Sequence, residues 1–219
     1  MTKIIAALNL KGGSGKTSLL VNVGGVLAEQ KSKVVLFDLD PQQSAWQWSR
    51  QSKKPFSYRI VKADLSQGVS VFKQQLHDII KEEKADYALL DCPPQMAEET
   101  FLAVLISDLV LIPISASPLD LWAGQQAIVT VLKARQQRNS KLPKAALVPS
   151  KLIKGTVLSK DLLKSLKKLK EPLAPAFHQR IAIPEAVIAG TTINHYAKNS
   201  SGHKEFLALC KYIKSKLKN

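Results

Sequence analysis

The sequence predicts an α/β protein with a doubly wound, mostly parallel sheet that is flanked by helices. Short β-branched runs alternate along the chain with longer segments whose apolar residues recur at helical spacing. Several of the short runs are apolar throughout, which is typical of strands that are covered on both faces of a parallel sheet. This alternation implies right-handed crossovers, which place helices on both sides of the sheet.

Six strands are predicted, each a short apolar run. The first stops before a Gly-rich loop, and the second and the fourth both stop at an aspartate. In chain order, the strand candidates are Lys3–Asn9, Lys33–Asp38, Tyr58–Val61, Asp86–Asp91, Asp108–Ile114 and Lys144–Val148. Ligands of such sheets bind at the carboxyl ends of the strands, so the loops that follow these runs should carry the chemistry.

Eight helices are predicted between and after these strands. The helix candidates are Lys16–Gln30, Gln42–Gln51, Ser66–Lys81, Met96–Ser107, Leu119–Asn139, Val157–Lys170, Ile183–Ala189 and Ser201–Lys218. Pro93-Pro94, and Pro172 with Pro175, mark loops. Because no internal repeat and no long linker divides the chain, a single domain over residues 1–219 is expected.

Composition excludes several classes of protein. A chain of 219 residues that is 45% hydrophobic and 22% charged is neither collagen-like nor disordered. Cys92 and Cys210 are the only cysteines and lack metal-ligand spacing, which favours a reducing compartment and argues against a zinc site. No apolar run approaches the roughly 20 residues of a membrane span, and the apolar start lacks the length of a signal peptide. We therefore expect a cytosolic protein.

The charge is unevenly distributed. The formal net charge is +15, of which residues 141–219 carry +12 and residues 1–140 carry +3. A basic last third indicates a polyanionic partner, either nucleic acid or an anionic membrane surface. The alternative is a lysine-rich surface that only aids solubility.

A phosphate-binding loop follows the first strand. Its sequence, K-G-G-S-G-K-T-S over residues 11–18, fits the end of the pattern G-x-x-x-x-G-K-[ST], although Leu10 occupies the place of the first glycine. The glycines allow backbone N–H groups to surround phosphate oxygens at the positive end of the next helix. Lys16 would then reach the β- and γ-phosphates, and the Thr17 hydroxyl would ligate Mg²⁺. The alternative is a flexible Gly-rich turn. The residues expected to surround the nucleotide are Gly12, Gly13, Ser14, Gly15, Lys16, Thr17 and Ser18.

Three motifs together resemble the ParA/MinD family of deviant Walker A ATPases. They are K-G-G-x-G-K-[ST] from Lys11, D-x-D-P-Q from Asp38, and L-L-D-C-P-P from Leu89. The segments 117–122 and 179–186 also resemble small plasmid-type members. The chain as a whole most resembles the small plasmid-type and carboxysome-positioning members. The resemblance spans nearly the whole chain, and it implies no separate N-terminal DNA-binding domain.

This resemblance implies a role for each charged residue near the nucleotide. Lys11 would reach the phosphates of a partner subunit in an ATP-bound sandwich dimer and offset transition-state charge. Asp40 would position the attacking water, Asp38 would orient Lys16 or a magnesium-bound water, and Asp91 would make an outer Mg²⁺ contact. The alternative for each aspartate is a helix N-cap.

The sixth strand departs from the family pattern. Many relatives carry a polar pair such as Asn-Arg there, near the adenine, whereas this chain has Pro149-Ser150-Lys151. Some ParA-like proteins that position carboxysomes are thought to use a lysine remote from the phosphate loop. Lys151 is therefore a second candidate for contact with the nucleotide or the dimer interface, with a surface-loop lysine as the alternative.

The last helix predicts a nonspecific DNA-binding face. Phe206, Leu209, Cys210, Ile213 and Leu217 form an apolar stripe, and several lysines lie off it. Without a base-reading motif, binding should be independent of sequence and sensitive to salt. The candidate DNA contacts are Lys164, Lys167, Lys168, Arg180, Lys211, Lys214 and Lys218.

The function expected from the resemblance is an ATP-driven positioning switch that associates with the nucleoid. ATP and Mg²⁺ would close a homodimer on DNA, and a ParB-like adaptor on a plasmid, chromosomal region or carboxysome would stimulate slow hydrolysis. The first alternative is a MinD-like membrane ATPase of division-site placement, whose membrane helix is usually appended beyond the fold. A second alternative is a metal-cluster reductase, but no cysteine pair here fits a cluster.

Overall fold

The computed structural model describes residues 1–51, 56–63 and 68–218. Within these residues, six parallel strands form one sheet in the order β3-β2-β4-β1-β5-β6. The strands are β1 (Lys3–Ala7), β2 (Val34–Asp38), β3 (Arg59–Lys62), β4 (Tyr87–Asp91), β5 (Leu109–Ile114) and β6 (Lys144–Pro149). All six overlap the predicted strands, so the α/β prediction with a parallel sheet is confirmed.

Helices cover both faces of this sheet. They are α1 (Lys16–Glu29), α2 (Ser44–Arg50), α3 (Val69–Glu83), α4 (Glu98–Ile106), α5 (Pro118–Gln137), α6 (Val157–Leu166), α7 (Ala182–Ile188), α8 (Ile193–Tyr196) and α9 (Ser201–Leu217). Residues 66 and 67, the first two of the predicted third helix, lie outside the described residues. Helix α8 was not predicted, because four residues are too short to show helical periodicity.

Helix α6 ends at Leu166, four residues before the predicted end at Lys170. Beyond it, the backbone N–H groups of Lys168 and Leu169 donate to carbonyls only three residues earlier, as in the tightened turns that close helices. The chain then runs beside β6, where Leu147 exchanges backbone hydrogen bonds with Pro172 and Ala174.

Two apolar layers hold the fold together, one on each face of the sheet. Helices α1, α2, α7, α8 and α9 pack on one face, around β-strand residues such as Ile5 and Leu36. Helices α3, α4, α5 and α6 pack on the other, around Ala6 and Phe37. Strands buried on both faces explain the continuous apolar runs in the sequence.

The register of the sheet brings three loops to one edge. Ala7 and Asp38 each pair with Asp91, so the ends of β1, β2 and β4 lie side by side. The phosphate loop, the D-x-D segment and the segment after β4 therefore meet at the carboxyl end of the sheet, as expected. Among the described residues, no helix is long and apolar enough to cross a membrane.

Candidate functional site

The phosphate loop wraps between the end of β1 and the first turn of α1. Gly13 and Gly15 have φ angles of 77° and 99°, in the left-handed region that favours glycine. A Cβ atom on Gly15 would also lie only 3.3 Å from Cζ of Phe177. The Ser150 hydroxyl donates to the Ser14 carbonyl (2.9 Å), which ties the loop to the end of β6.

Lys16 folds back across this loop. Its Nζ donates to the carbonyl oxygens of Asn9 (2.9 Å) and Lys11 (3.2 Å). Burial lowers the pKa of Lys16, while the charges of Asp91 and Asp40 among others oppose that shift. The ammonium is thus held inside the loop, where the motif predicts that it meets phosphate oxygens.

Asp38 lies in the candidate site, and its carboxylate also accepts hydrogen bonds from the backbone. Its carboxylate accepts from the N–H groups of Asp40 (3.2 Å) and Trp46 (3.0 Å), so it organises the turn that leads into α2. Burial raises its pKa, and these backbone hydrogen bonds counter part of the rise. The N-cap alternative is wrong for Asp38, because the N-cap of α2 is Gln43, although the Asp38 carboxylate accepts from a backbone N–H in the first turn of that helix. Asp40 is more exposed, and it accepts from the N–H of Gln42 (2.9 Å).

Asp91 is a buried carboxylate with unmet hydrogen-bonding capacity. It is 1% exposed, and no donor within the described residues meets hydrogen-bond geometry with either of its oxygens. Burial raises its pKa to about 7, and the charge of Asp38 adds to the rise, whereas the nearby Thr17 hydroxyl and Lys16 ammonium oppose it. A cation beside Thr17 would satisfy this carboxylate, so the residues present fit a magnesium site.

The Asp91 carboxylate should make the nucleotide-free protein less stable at high pH than at low pH. Because its pKa is raised from 3.8 to about 7 on folding, the stability that comes from the protonated form is lost as pH rises through about 7. We expect Asp91→Asn to stabilise the apoprotein by up to about 4 kcal/mol near pH 8, and by much less near pH 5. Urea denaturation with a chelator present measures this difference. A variant no more stable than the parent near pH 8 would contradict it.

Lys11 is paired within its own chain. Its Nζ lies 2.8 Å from Oδ2 of Asp120, in the first turn of α5, and the Ser115 hydroxyl donates to the same oxygen. The Asp120 side chain is 4% exposed and that of Lys11 is 36% exposed. No role was predicted for Asp120. An acidic residue soon after an apolar strand was the available signal, as it was for Asp38 and Asp91.

Lys151 also contacts the phosphate loop. Its backbone is in the left-handed region (φ 51°), and its Nζ donates to the Gly13 carbonyl (2.7 Å). The residue is exposed. The side chain thus lies along the predicted nucleotide site, although it belongs to the loop after β6.

Two adjoining cavities open beside the loop. One, of about 420 Å³, is lined by the phosphate loop together with Asp40, Trp48 and Pro94. The other, of about 470 Å³, is lined mainly by residues 177–181, Ile183 and Pro184. Ser18, Lys151 and Val187 line both cavities. The two cavities therefore adjoin, and both are lined by polar and apolar residues, as a nucleotide site requires.

The structure separates the candidate DNA contacts into three places. Lys211 and Lys214 lie on α9, whose apolar stripe is buried against α1 and the sheet, and Lys218 directly follows that helix. Lys164, Lys167 and Lys168 lie at the end of α6, on the opposite face. Arg180 lies in the wall of the second cavity, paired with Glu205.

Comparisons with known proteins agree with this geometry. Residues 5–217 match the CobQ/CobB/MinD/ParA nucleotide binding domain. The chain is 31% identical over 193 residues to the maintenance of carboxysome distribution protein A of Halothiobacillus neapolitanus, covering 86% of this chain and 85% of that protein. The chain therefore belongs to the CobQ/CobB/MinD/ParA family of nucleotide-binding proteins.

Solved structures share the fold. Apo McdA from Cyanothece has a TM-score of 0.82 at 16% identity, covering 97% of this chain and 100% of that one. Cobyrinic acid a,c-diamide synthase from Mycobacterium smegmatis, with a bound ATP analogue and magnesium, has a TM-score of 0.75 at 20% identity, covering 100% and 96%. These neighbours confirm the predicted α/β nucleotide-binding fold.

Proposed function

We propose that this chain is an ATP-hydrolysing positioning switch that works as a homodimer. The observation that carries the proposal is the buried carboxylate of Asp91, which has no hydrogen-bond donor in the described residues and lies beside Lys16 and Thr17 of a phosphate loop. A buried carboxylate of this kind requires a counter-charge, and Mg²⁺ with a nucleotide supplies one. The magnesium and ATP analogue in the cobyrinic acid a,c-diamide synthase structure support this assignment.

We assign each residue of the site a separate role in binding or hydrolysis. Residues 12–18 bind the phosphates, and Thr17, with Asp38 and Asp91 nearby, holds Mg²⁺, which offsets charge on the phosphate oxygens. Asp40 is the half-buried carboxylate at the edge of the phosphate cavity, where it can orient a water for attack on the γ-phosphate.

Two lysines are candidates for the contact across the dimer. In the single chain, Lys11 is paired with Asp120 and Lys151 donates to Gly13. Either lysine would have to exchange that contact for a phosphate of the partner subunit. Such a contact exists only in the dimer, so its loss should weaken dimerisation more than nucleotide binding by the monomer.

We expect Lys11→Ala to weaken ATP-dependent dimerisation by about a hundredfold or more, because each of the two subunits loses one charge-assisted hydrogen bond to its partner. Light scattering coupled to size exclusion, with ATP and with ADP, measures the effect. Lys151→Ala is the parallel test, and Lys154→Ala, an exposed lysine in the same loop, is the control. If Lys151→Ala dimerises like the parent, Lys11 alone makes the contact. Normal dimerisation of both variants would refute the cross-dimer assignment.

We favour DNA over a membrane as the partner that the dimer binds. The apolar stripe of α9 is already buried in the core, so a membrane could use it only after the helix had left the protein. The net charge of +12 on residues 141–219 supports a polyanionic partner instead. A membrane-bound, MinD-like ATPase remains the alternative that liposome co-sedimentation with and without ATP would reveal.

We consider three kinds of cargo. The similarity to a carboxysome distribution protein supports a protein organelle, and the similarity to the chromosome partitioning protein ParA of Caulobacter vibrioides supports a chromosomal cargo. A plasmid is the third candidate. A ParB-like adaptor on the cargo would stimulate hydrolysis and release monomers from the nucleoid. Measuring ATP turnover with the products of neighbouring genes, with and without DNA, tests this step.

A further inference from the structure

The segment 177–181 connects the phosphate loop to the last helix. On one side, the Phe177 ring approaches Gly15 so closely that a Cβ there would lie 3.3 Å from Cζ. On the other side, the same ring packs against Phe206 of α9, with 5.4 Å between the ring centroids. The segment thus occupies the space between the loop that should bind phosphates and the helix that carries the basic residues.

This segment also forms much of the second cavity, which adjoins the phosphate cavity. A nucleotide whose phosphates lie in the loop must place its nucleoside in neighbouring space, and the two cavities share Ser18, Lys151 and Val187. The walls contributed by Ile183 and Pro184 suit the apolar faces of a base. The shape of segment 177–181 therefore determines the fit of the nucleoside.

Glu205 of α9 holds this segment in place. Its Oε2 accepts from the backbone N–H of His178 (3.0 Å), and its Oε1 accepts from Arg180 and lies 2.8 Å from Nδ1 of the His178 ring. Its side chain is 16% exposed. Burial alone would raise the pKa of Glu205, but the hydrogen bonds from Arg180 and His178 outweigh it and the net shift is downward. The carboxylate is therefore ionised at neutral pH and engaged by three donors.

We propose that Glu205 is a positioning residue for the nucleoside end of the bound nucleotide. It fixes the backbone at His178 and the guanidinium of Arg180, and so it shapes the wall against which the base and ribose pack. This inference rests on the proposed function, in which the chain binds ATP. The hydrogen-bond partners of Glu205, His178 and Arg180, line the second cavity and do not belong to the phosphate loop. Loss of Glu205 should therefore weaken binding of the nucleoside much more than binding of the phosphates.

The test compares two ligands on the full chain. Titration calorimetry with Mg²⁺ measures binding of ATP, which fills both cavities, and of inorganic triphosphate, which can occupy only the phosphate loop. We expect Glu205→Ala to weaken ATP binding by about tenfold, since two or three hydrogen bonds that order the wall are lost. Triphosphate affinity should stay within about twofold of the parent value. Glu205→Gln keeps one acceptor for Arg180 or His178, so we expect an intermediate loss of ATP affinity with the fold intact.

Glu29→Ala is the matched control. Glu29 is also a partly buried carboxylate that contacts α9, 3.1 Å from Nε2 of His203, but it lies at the far end of α1 from the phosphate loop. Equal losses of ATP and triphosphate affinity in the Glu205 variants would show a general structural role and overturn the proposal. A selective loss of ATP affinity in Glu29→Ala would also overturn it, because any loosening of α9 would then suffice. A parent that binds neither ligand would instead refute ATP binding itself.

Discussion

Lys16→Ala should reduce ATP affinity by at least about a hundredfold, or roughly 2.7 kcal/mol. The Lys16 ammonium is buried in the phosphate loop, where its acceptors among the described residues are two backbone carbonyls, which it can exchange for phosphate oxygens. The variant loses both that charge-assisted hydrogen bond and the cation that faces Asp91. Titration calorimetry with ATP and Mg²⁺ is the measurement.

Asp40→Ala is the matched variant for this experiment. Asp40 lines the same cavity but is not part of the loop that surrounds the phosphates. We expect it to keep ATP affinity near the parent value and to lose most of its turnover, with the ATP-bound dimer persisting. Parent-like ATP affinity in Lys16→Ala would disprove the phosphate-loop assignment, and parent-like turnover in Asp40→Ala would move the water-positioning role to Asp38.

Charge reversal on α9 should abolish DNA binding without disturbing the fold. Lys211 and Lys218 are exposed, and the partly buried Lys214 donates to the side chain of Gln30 (2.6 Å), while the apolar stripe of the helix is buried. Changing these three lysines to Glu alters six charges in a dimer. If each lysine neutralises one phosphate, the slope of log DNA affinity against log salt concentration should become less steep by about 5.

The measurement uses random-sequence duplexes at two salt concentrations, with and without ATP. A triple charge reversal at Lys73, Lys81 and Lys133 is the control, because it makes the same change in net charge on exposed residues of α3 and α5, on the opposite face of the sheet. Equal losses of DNA affinity in both triple variants would show that DNA binding depends only on net charge and not on the lysines of α9. Equal affinity of the parent with and without ATP would show that the surface is not gated by the nucleotide.

The fold was largely predictable because its signals are local. Each strand is an apolar run, and β2 and β4 end at Asp38 and Asp91 as expected. The phosphate loop was predictable for the same reason, since glycine, lysine and threonine at fixed spacing define it. Ends of helices were less accurate, as at Leu166, because tertiary contacts of the following segment with β6 decide where α6 stops.

Contacts between distant residues were not predictable from pattern. Lys11 and Asp120 are 109 residues apart, and nothing in the spacing of either motif indicates that they pair. The same holds for Glu205 with His178 and Arg180, which join α9 to a loop 25 to 27 residues earlier. Charge alone groups Arg180 with the lysines as a DNA contact, whereas the fold places it in the wall of the second cavity.

Helix α1 runs without interruption from the phosphate loop to contacts with α9. It begins at Lys16 in the phosphate loop, and at its other end Glu29 contacts His203 of α9, while Gln30, which caps it, contacts Lys214. A helix of 14 residues is a stiff rod about 21 Å long. If phosphate binding at its first turn tilts α1, the other end of α1 must therefore move as well. That end contacts α9 through Glu29 and Gln30, so the position of the lysine-bearing helix would change with it.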